Sequence, residues 1–246
     1  ASVASLFRNF SRAGVLKNRF STCTVVPRGR AWFSRRNGTP PQAVLNQMSE
    51  LIRRVDAVED PAILLGIEGQ LAALYFAHFA TMLAPRDLAP TLDFTARNRR
   101  PPRDPINALL SFGYALLAKE CTVALLAEGL DPWWGFYHQP RHGRPALALD
   151  LMEPFRPLVV DSAVITAVNT GMVAARNFSR TAAACMLGPE GRKAFIRAYE
   201  ARLDQLVTHP LFDYRCSWRA VIRLQARLLA RWLRGDIPHY EFITTR

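Results

Sequence analysis

Residues 138–157, HQPRHGRPALALDLMEPFRP, bring two histidines, a Gly-Arg-Pro turn and an apolar run carrying Asp150 and Glu153 into one short stretch. Asp150 and Glu153 are three apart, so both project from one side of a helical turn. Burying unpaired charge is costly, and the acids therefore need a metal ion or an arginine to compensate them. His138 arrives from the preceding loop, after the aromatic run WWGFYH. A neutral imidazole with carboxylates from separate elements makes a hard, octahedral-tolerant site of the kind that takes Mg²⁺ or Mn²⁺. A histidine–carboxylate hydrogen-bond cluster would use the same residues, and spacing alone leaves both readings open. Pro154 removes a backbone donor and restricts Glu153, which predicts a bend or helix end there and a carboxylate tipped outward. His142, beside Gly143, reads as a solvated or phosphate-touching turn residue. Further upstream, Glu68 lies on an apolar helical stripe with Leu64, Leu71, Ala72 and Tyr75. Gly66 and Gly69 flank it and leave room for another backbone or a ligand. A buried glutamate paired with an arginine explains Glu68 as well as a site acid does.

Two basic features bear on the substrate. RNRRPPR supplies Arg97, Arg99, Arg100 and Arg103 around two prolines that stiffen the loop, and Arg223, Arg227, Arg231 and Arg234 form a stripe along the last helix. With no acid among those four before Asp236, contact with a phosphate backbone explains the stripe better than solubility does. The 246 residues carry a net charge of +12, which points to a polyanionic partner, nucleic acid ahead of a membrane. No apolar run reads as long and charge-free enough to span a bilayer. Cys23, Cys121, Cys185 and Cys216 lack the paired spacing of a zinc site and the density of a disulfide framework, which fits a reducing cytoplasm.

The elements that must position these residues read as helices. Asp60-Pro61 and Asp104-Pro105 are cap-and-proline starts, the second leading into an apolar run that stops at Gly129. Residues 158–183 and 189–207 read as further helices, and the last runs from about Ser217 to Arg234, ending at Gly235. Period-two alternation is nearly absent, so the fold class is all-α with long basic loops at 27–40 and 84–103. The simplest division is a basic N-terminal helix and loop over 1–49 and one helical, DNA-binding domain over 50–246. The first part holds Arg8, Arg12, Lys17, Arg19, Arg28, Arg30, Arg35 and Arg36, with no acid before Glu50. A DNA-facing segment or an organellar transit peptide has that composition. The chain begins without Met, as a processed or partial chain does.

LLGIEGQLAALYF, RRPPRDPINALLSFGYALL, GFYHQPRHGRPALALDLMEPFRP, MLGPEGRKAFIRAYEARLDQLVTHPLFDYRCSWR and LQARLLARWLRG, in that order, resemble successive motifs of CRISPR-associated protein one, the adaptation integrase. HPLFDYRCSWR and the final YEFITTR are similar to versions from type III systems, including those linked to reverse transcriptases. The resemblance implies a helical catalytic domain and a metal site formed by Glu68, His138 and Glu153. Asp150 then takes the place of the motif's first acid in a supporting role. It also implies spacer insertion into a CRISPR array, with a structure-specific endonuclease or a catalytically silent DNA-binding scaffold as the competing activities. The implied partners are DNA (prespacer and repeat), a second copy of the chain, a small ferredoxin-like adaptation protein and a reverse transcriptase. The family's N-terminal β-domain is not legible in residues 1–49, and the expectation is that it is missing or reduced.

Overall fold

The computed structural model describes residues 42–55, 58, 61–83, 92–98, 100–208, 213–240 and 242. The basic segment before residue 42, the Asp60 cap, Arg99 and Cys23 lie outside the described residues, as does part of the 84–103 loop. Seven α-helices appear among the described residues: α1 (Gln42–Val55), α2 (Pro61–Ala77), α3 (Pro105–Ala127), α4 (Ala146–Met152), α5 (Ser162–Asn169), α6 (Pro189–Asp204) and α7 (Trp218–Arg234). Helix α1 runs through the division expected near residue 50, and its Leu45, Met48, Leu51 and Val55 all join the core.

Helix α3 is the hub, packed by α4, α5, α7 and the segment between α4 and α5. Its start is set locally: Asp104 accepts the Asn107 backbone N–H at 2.7 Å, and Pro105 occupies the first turn, where no donor is needed. Ile106, Leu109, Leu110, Leu117, Cys121 and Leu125 are fully buried on its inner stripe. Each large apolar side chain there contributes roughly 1.5–3 kcal/mol by leaving water. Contrary to the expectation that no such run exists, α3 is long and apolar enough to cross a membrane by length and composition. Its inner stripe belongs to the core, and Lys119 and Glu120 interrupt the apolar run.

Two stretches depart from the all-α expectation. The helix expected over 158–183 ends at Asn169, where Gly171 turns the chain at φ +72. Strands β1 (Phe178–Arg180) and β2 (Cys185–Leu187) follow as an antiparallel hairpin, with Phe178 opposite Leu187. The helix expected over 189–207 likewise stops at Asp204, because Leu206–Thr208 (β3) pairs with Arg215–Ser217 (β4). Both stretches are too short for alternation to register against a helical background. The last helix matches its expected bounds: Ser217 accepts the Ala220 N–H at 3.2 Å, and Gly235, at φ +84, closes it in the left-handed conformation.

Pro154 ends α4, as expected, but the chain does not leave the helical path. It continues as a π-helical turn, Arg156–Asp161, and then becomes α5. Pro154 and Pro157 lack the donors that α-helical bonds need here, and the wider turn dispenses with them. Gly113 of α3 lets this turn come close, since a Cβ there would stand 2.6 Å from the Val160 side chain. Among the described residues the cysteines Cys121, Cys185 and Cys216 are free.

Candidate active site

The loop between α3 and α4 is pinned before it delivers its histidine. The Pro132 carbonyl accepts the backbone N–H of Leu147 at 2.9 Å and of Ala148 at 3.3 Å. At Gly135 the backbone passes so near α4 that a Cβ would meet Ala146 at 2.7 Å. Asp150, fully buried, then gathers the end of the loop. Its Oδ2 accepts the N–H of Phe136 at 2.7 Å and of Tyr137 at 3.0 Å, and its Oδ1 accepts the N–H of His138 at 2.9 Å. The same Oδ1 lies 2.6 Å from His138 Nδ1. Burial pushes the Asp150 carboxyl up from its usual range, while the hydrogen bonds from His138 and the backbone oppose that push.

With Nδ1 engaged, the ring presents Nε2 to Glu153, 3.9 Å from its Oε1. Glu153 is 2% exposed, so it is not tipped outward as the proline suggested. Arg156, one helical turn along, reaches the same oxygen at 2.9 Å and draws the carboxylate inward. Arg156 also lies over the Tyr114 ring, 4.9 Å from its centroid. Behind it, buried Asp161 accepts hydrogen bonds from Tyr114 at 2.6 Å and from Tyr75 of α2 at 2.7 Å. Glu68 enters from α2 and accepts the Tyr137 hydroxyl, so the residue beside His138 ties the two parts of the site together. Beside Gly66 and Gly69 a Cβ would meet nothing within 4 Å, so neither marks a close backbone approach.

The structure thus brings His138, Asp150 and Glu153 together, and Glu68 is linked to the same loop through the Tyr137 hydroxyl. Reading the sequence alone missed Tyr137, Arg156, Asp161, Tyr114 and Tyr75. Arg156 had a local signal, since it follows Glu153 by three positions. Asp161 had none, because its partners stand 86 and 47 residues away. Among the described residues, no three His, Cys, Asp or Glu side chains are gathered closely enough to hold a metal ion. Donor chemistry nevertheless suits one. The acid behind His138 fixes the ring and directs Nε2 at a second carboxylate, as acids behind metal-binding histidines do. In the geometry described, the charge on Glu153 is met by Arg156.

The basic residues divide. Arg97 is turned inward, donating to Asn107 Oδ1 at 2.6 Å and Ser111 at 3.3 Å, and it lies over Tyr114 at 5.6 Å. Arg100 and Arg103 are exposed, and Arg99 is outside the described residues. Asn98 orders that loop by accepting the Arg103 N–H at 3.0 Å. On α7, Arg223, Arg227, Arg231 and Arg234 are all exposed. Arg227 pairs with Glu128 at 3.1 Å, while Arg231 and Arg234 approach Asp236 at 3.9 and 3.3 Å. The stripe is therefore partly neutralised by acids that the helix's own sequence does not contain. Helix α7 also supports the site loop, since Trp232 packs edge-on against Phe136 at 6.5 Å. His142 is exposed in the turn closed by the Arg141–Arg144 bridge.

Residues 21–201 match the family described as CRISPR associated protein Cas1. A relative from Geobacter sulfurreducens, a CRISPR-associated exonuclease Cas4/endonuclease Cas1 fusion, is 52% identical over 207 residues. That alignment covers 84% of this chain but 37% of the relative's length. Among solved structures, a casposase bound to integration product is similar with a TM-score of 0.79 at 28% identity, over 94% of this chain and 62% of the other. A partial Cas6-RT-Cas1–Cas2 complex shares the fold with a TM-score of 0.78 at 24% identity, over 96% of this chain and 68% of the other. The family match spans well over half of the sequence, and the chain belongs to the Cas1 family of CRISPR-associated proteins.

Proposed function

We propose that this chain carries the catalytic residues of a divalent-metal-dependent DNA integrase that inserts new spacers into a CRISPR array. The reaction is transesterification: a 3′-hydroxyl attacks a phosphodiester at the repeat boundary, and one phosphodiester replaces another. No nucleotide cofactor is required for that balance. The observation that carries the reading is His138, held by Asp150 at 2.6 Å with its other nitrogen facing Glu153. Glu68, His138 and Glu153 would hold Mg²⁺ or Mn²⁺, an ion that when bound polarises the scissile phosphate and makes the attacking hydroxyl more acidic. Asp150 fixes the imidazole tautomer and orientation from behind. Tyr137 restrains Glu68, and Arg156 pairs with Glu153 in a buried position. Catalysis then rests on positioning and charge stabilisation by groups set before DNA arrives.

The exposed arginines, Arg100, Arg103 and Arg223 first among them, hold the DNA backbone, so affinity falls steeply with added salt. Family membership supports a homodimer bridged by a small ferredoxin-like partner. The Cas2 and RT in the name of the solved complex support that partner and a reverse transcriptase. The endonuclease in the relative's name supports a second reading at the same site, hydrolysis with water in place of the 3′-hydroxyl. The test is joining of labelled short duplex DNA to a supercoiled repeat-bearing plasmid, with Mn²⁺ or EDTA and with the small partner added or withheld. Integration requires metal and an intact 3′-hydroxyl and is lost in Glu68→Ala and His138→Ala, which still bind DNA. Normal joining by either variant rejects the site. Cleavage that ignores the 3′-hydroxyl selects the nuclease.

A further inference from the structure

Asp161 is a buried acid that the proposed chemistry leaves unused. It is 1% exposed and closes the π turn that follows Glu153. Its Oδ2 accepts the Tyr75 hydroxyl at 2.7 Å, and its Oδ1 accepts the Tyr114 hydroxyl at 2.6 Å. One side chain therefore joins the π turn to both α2 and α3. A buried carboxylate is a costly way to hold helices together, and apolar side chains of similar volume would pack there at least as well. What the carboxylate adds is direction. An O–H···O bond fixes its two ends to roughly 2.5–3.0 Å, whereas apolar surfaces slide past one another.

The helix that Asp161 holds is the one that carries Glu68. Tyr75 follows Glu68 by seven positions on α2, about two turns, so both project from one stripe. Glu68 is the site acid that does not come from residues 138–153, so its distance from Glu153 depends on where α2 stands. Tyr75 anchors that stripe at one end, and the Tyr137 hydroxyl meets Glu68 at the other. The second tyrosine leads to the opposite carboxylate. Arg156 lies over the Tyr114 ring, 4.9 Å from its centroid, and pairs with Glu153 at 2.9 Å. Asp161 is thus bonded directly to the helix bearing Glu68 and connected to Glu153 through Tyr114 and Arg156.

We propose that Asp161 is a positioning residue: through Tyr75 and Tyr114 it holds Glu68 and Glu153 in the register from which both reach one divalent cation. This rests on the metal reading above. Asp161 touches neither the ion nor DNA, and acts by keeping two carboxylates on separate elements from drifting apart. Loss of a partner that orients a metal ligand costs about 10- to 100-fold in metal affinity, and the clasp belongs to that class of contact.

The test is Mn²⁺ binding to the whole chain, read from the electron paramagnetic resonance signal of the free ion, with melting temperature as the control of folding. Wild type, Tyr75→Phe, Glu68→Gln and the Glu68→Gln/Tyr75→Phe double variant form a cycle. Phenylalanine keeps the ring and removes only the hydroxyl tether. Tyr75→Phe should weaken Mn²⁺ binding about tenfold in wild type. It should cost nothing further in Glu68→Gln, where α2 no longer carries a ligand to place. A Tyr75→Phe/Tyr114→Phe/Asp161→Leu variant exchanges the clasp for apolar packing. It should melt close to wild type yet bind Mn²⁺ at least about tenfold more weakly. Wild-type affinity in Tyr75→Phe or in the triple variant, or equal weakening by Tyr75→Phe in both backgrounds, overturns the clasp and leaves the metal reading intact. Unchanged affinity in Glu68→Gln, or no Mn²⁺ binding by wild type, overturns the metal reading and the clasp with it.

Discussion

Replacing Arg156 by leucine removes the cation that faces Glu153. The glutamate is 2% exposed and the arginine side chain 14%, with the two joined at 2.9 Å, so water cannot take over when the guanidinium goes. Breaking a buried ion pair from one side costs about 3–5 kcal/mol, mainly through the charge left behind. At roughly 2–4 °C per kcal/mol for a chain of this size, Arg156→Leu should melt about 6–20 °C below wild type. The partner substitution gives the control. A Glu153→Leu/Arg156→Leu double variant has no stranded charge and should recover most of that loss, leaving a coupling of about 2–3 kcal/mol. Mn²⁺ separates the arginine from a metal as the compensating charge. If the Glu153 carboxylate can accept an ion, saturating Mn²⁺ should raise the melting temperature of Arg156→Leu more than that of wild type. An ion at about a hundred times its Kd supplies ~2.7 kcal/mol. Thermal melts followed by circular dichroism, with Glu153→Leu alone completing the cycle, give the losses and the coupling. A fall of under about 1 kcal/mol in Arg156→Leu would refute the reading that Arg156 meets a buried charge on Glu153.

Other perturbations reach the scaffold and the surface. Gly113→Ala puts a methyl group 2.6 Å from Val160, and overpacking of that kind should cost about 1–3 kcal/mol, seen as a lower urea midpoint with an unchanged slope. Asp150→Asn cannot accept from all of Phe136, Tyr137, His138 and the imidazole, because its amide group is itself a donor. Amide exchange at residues 136–138 should then accelerate more than elsewhere in the chain, and uniform exchange would count against the anchoring role. Arg223→Ala should lower the slope of log affinity against log salt by about one. Arg227→Ala, whose guanidinium already pairs with Glu128, should lower it less.

Much of this molecule is written in short-range chemistry. The Asp104 and Ser217 caps, the Gly235 stop and the inner stripe of α3 follow from residues within a turn or two of one another, and the structure keeps them. Asp150 and Glu153, three positions apart, are near in the chain, and His138 precedes the first acid by twelve positions. The family itself was legible because its motifs are local and ordered.

Only the tertiary structure decided how the charges are met. Glu68 met the hydroxyl of a tyrosine 69 residues away, and Arg227 found an acid 99 residues away. Asp161 drew its hydroxyls from α2 and α3, while two prolines widened the backbone into a π turn that set Arg156 against Glu153. The brief hairpins escaped notice because three-residue strands leave little alternation and exist through their partners. Periodicity and capping act within a few residues and need no knowledge of the rest of the chain. A buried charge is satisfied by whatever the fold places beside it, and that neighbour is chosen by packing across the whole chain.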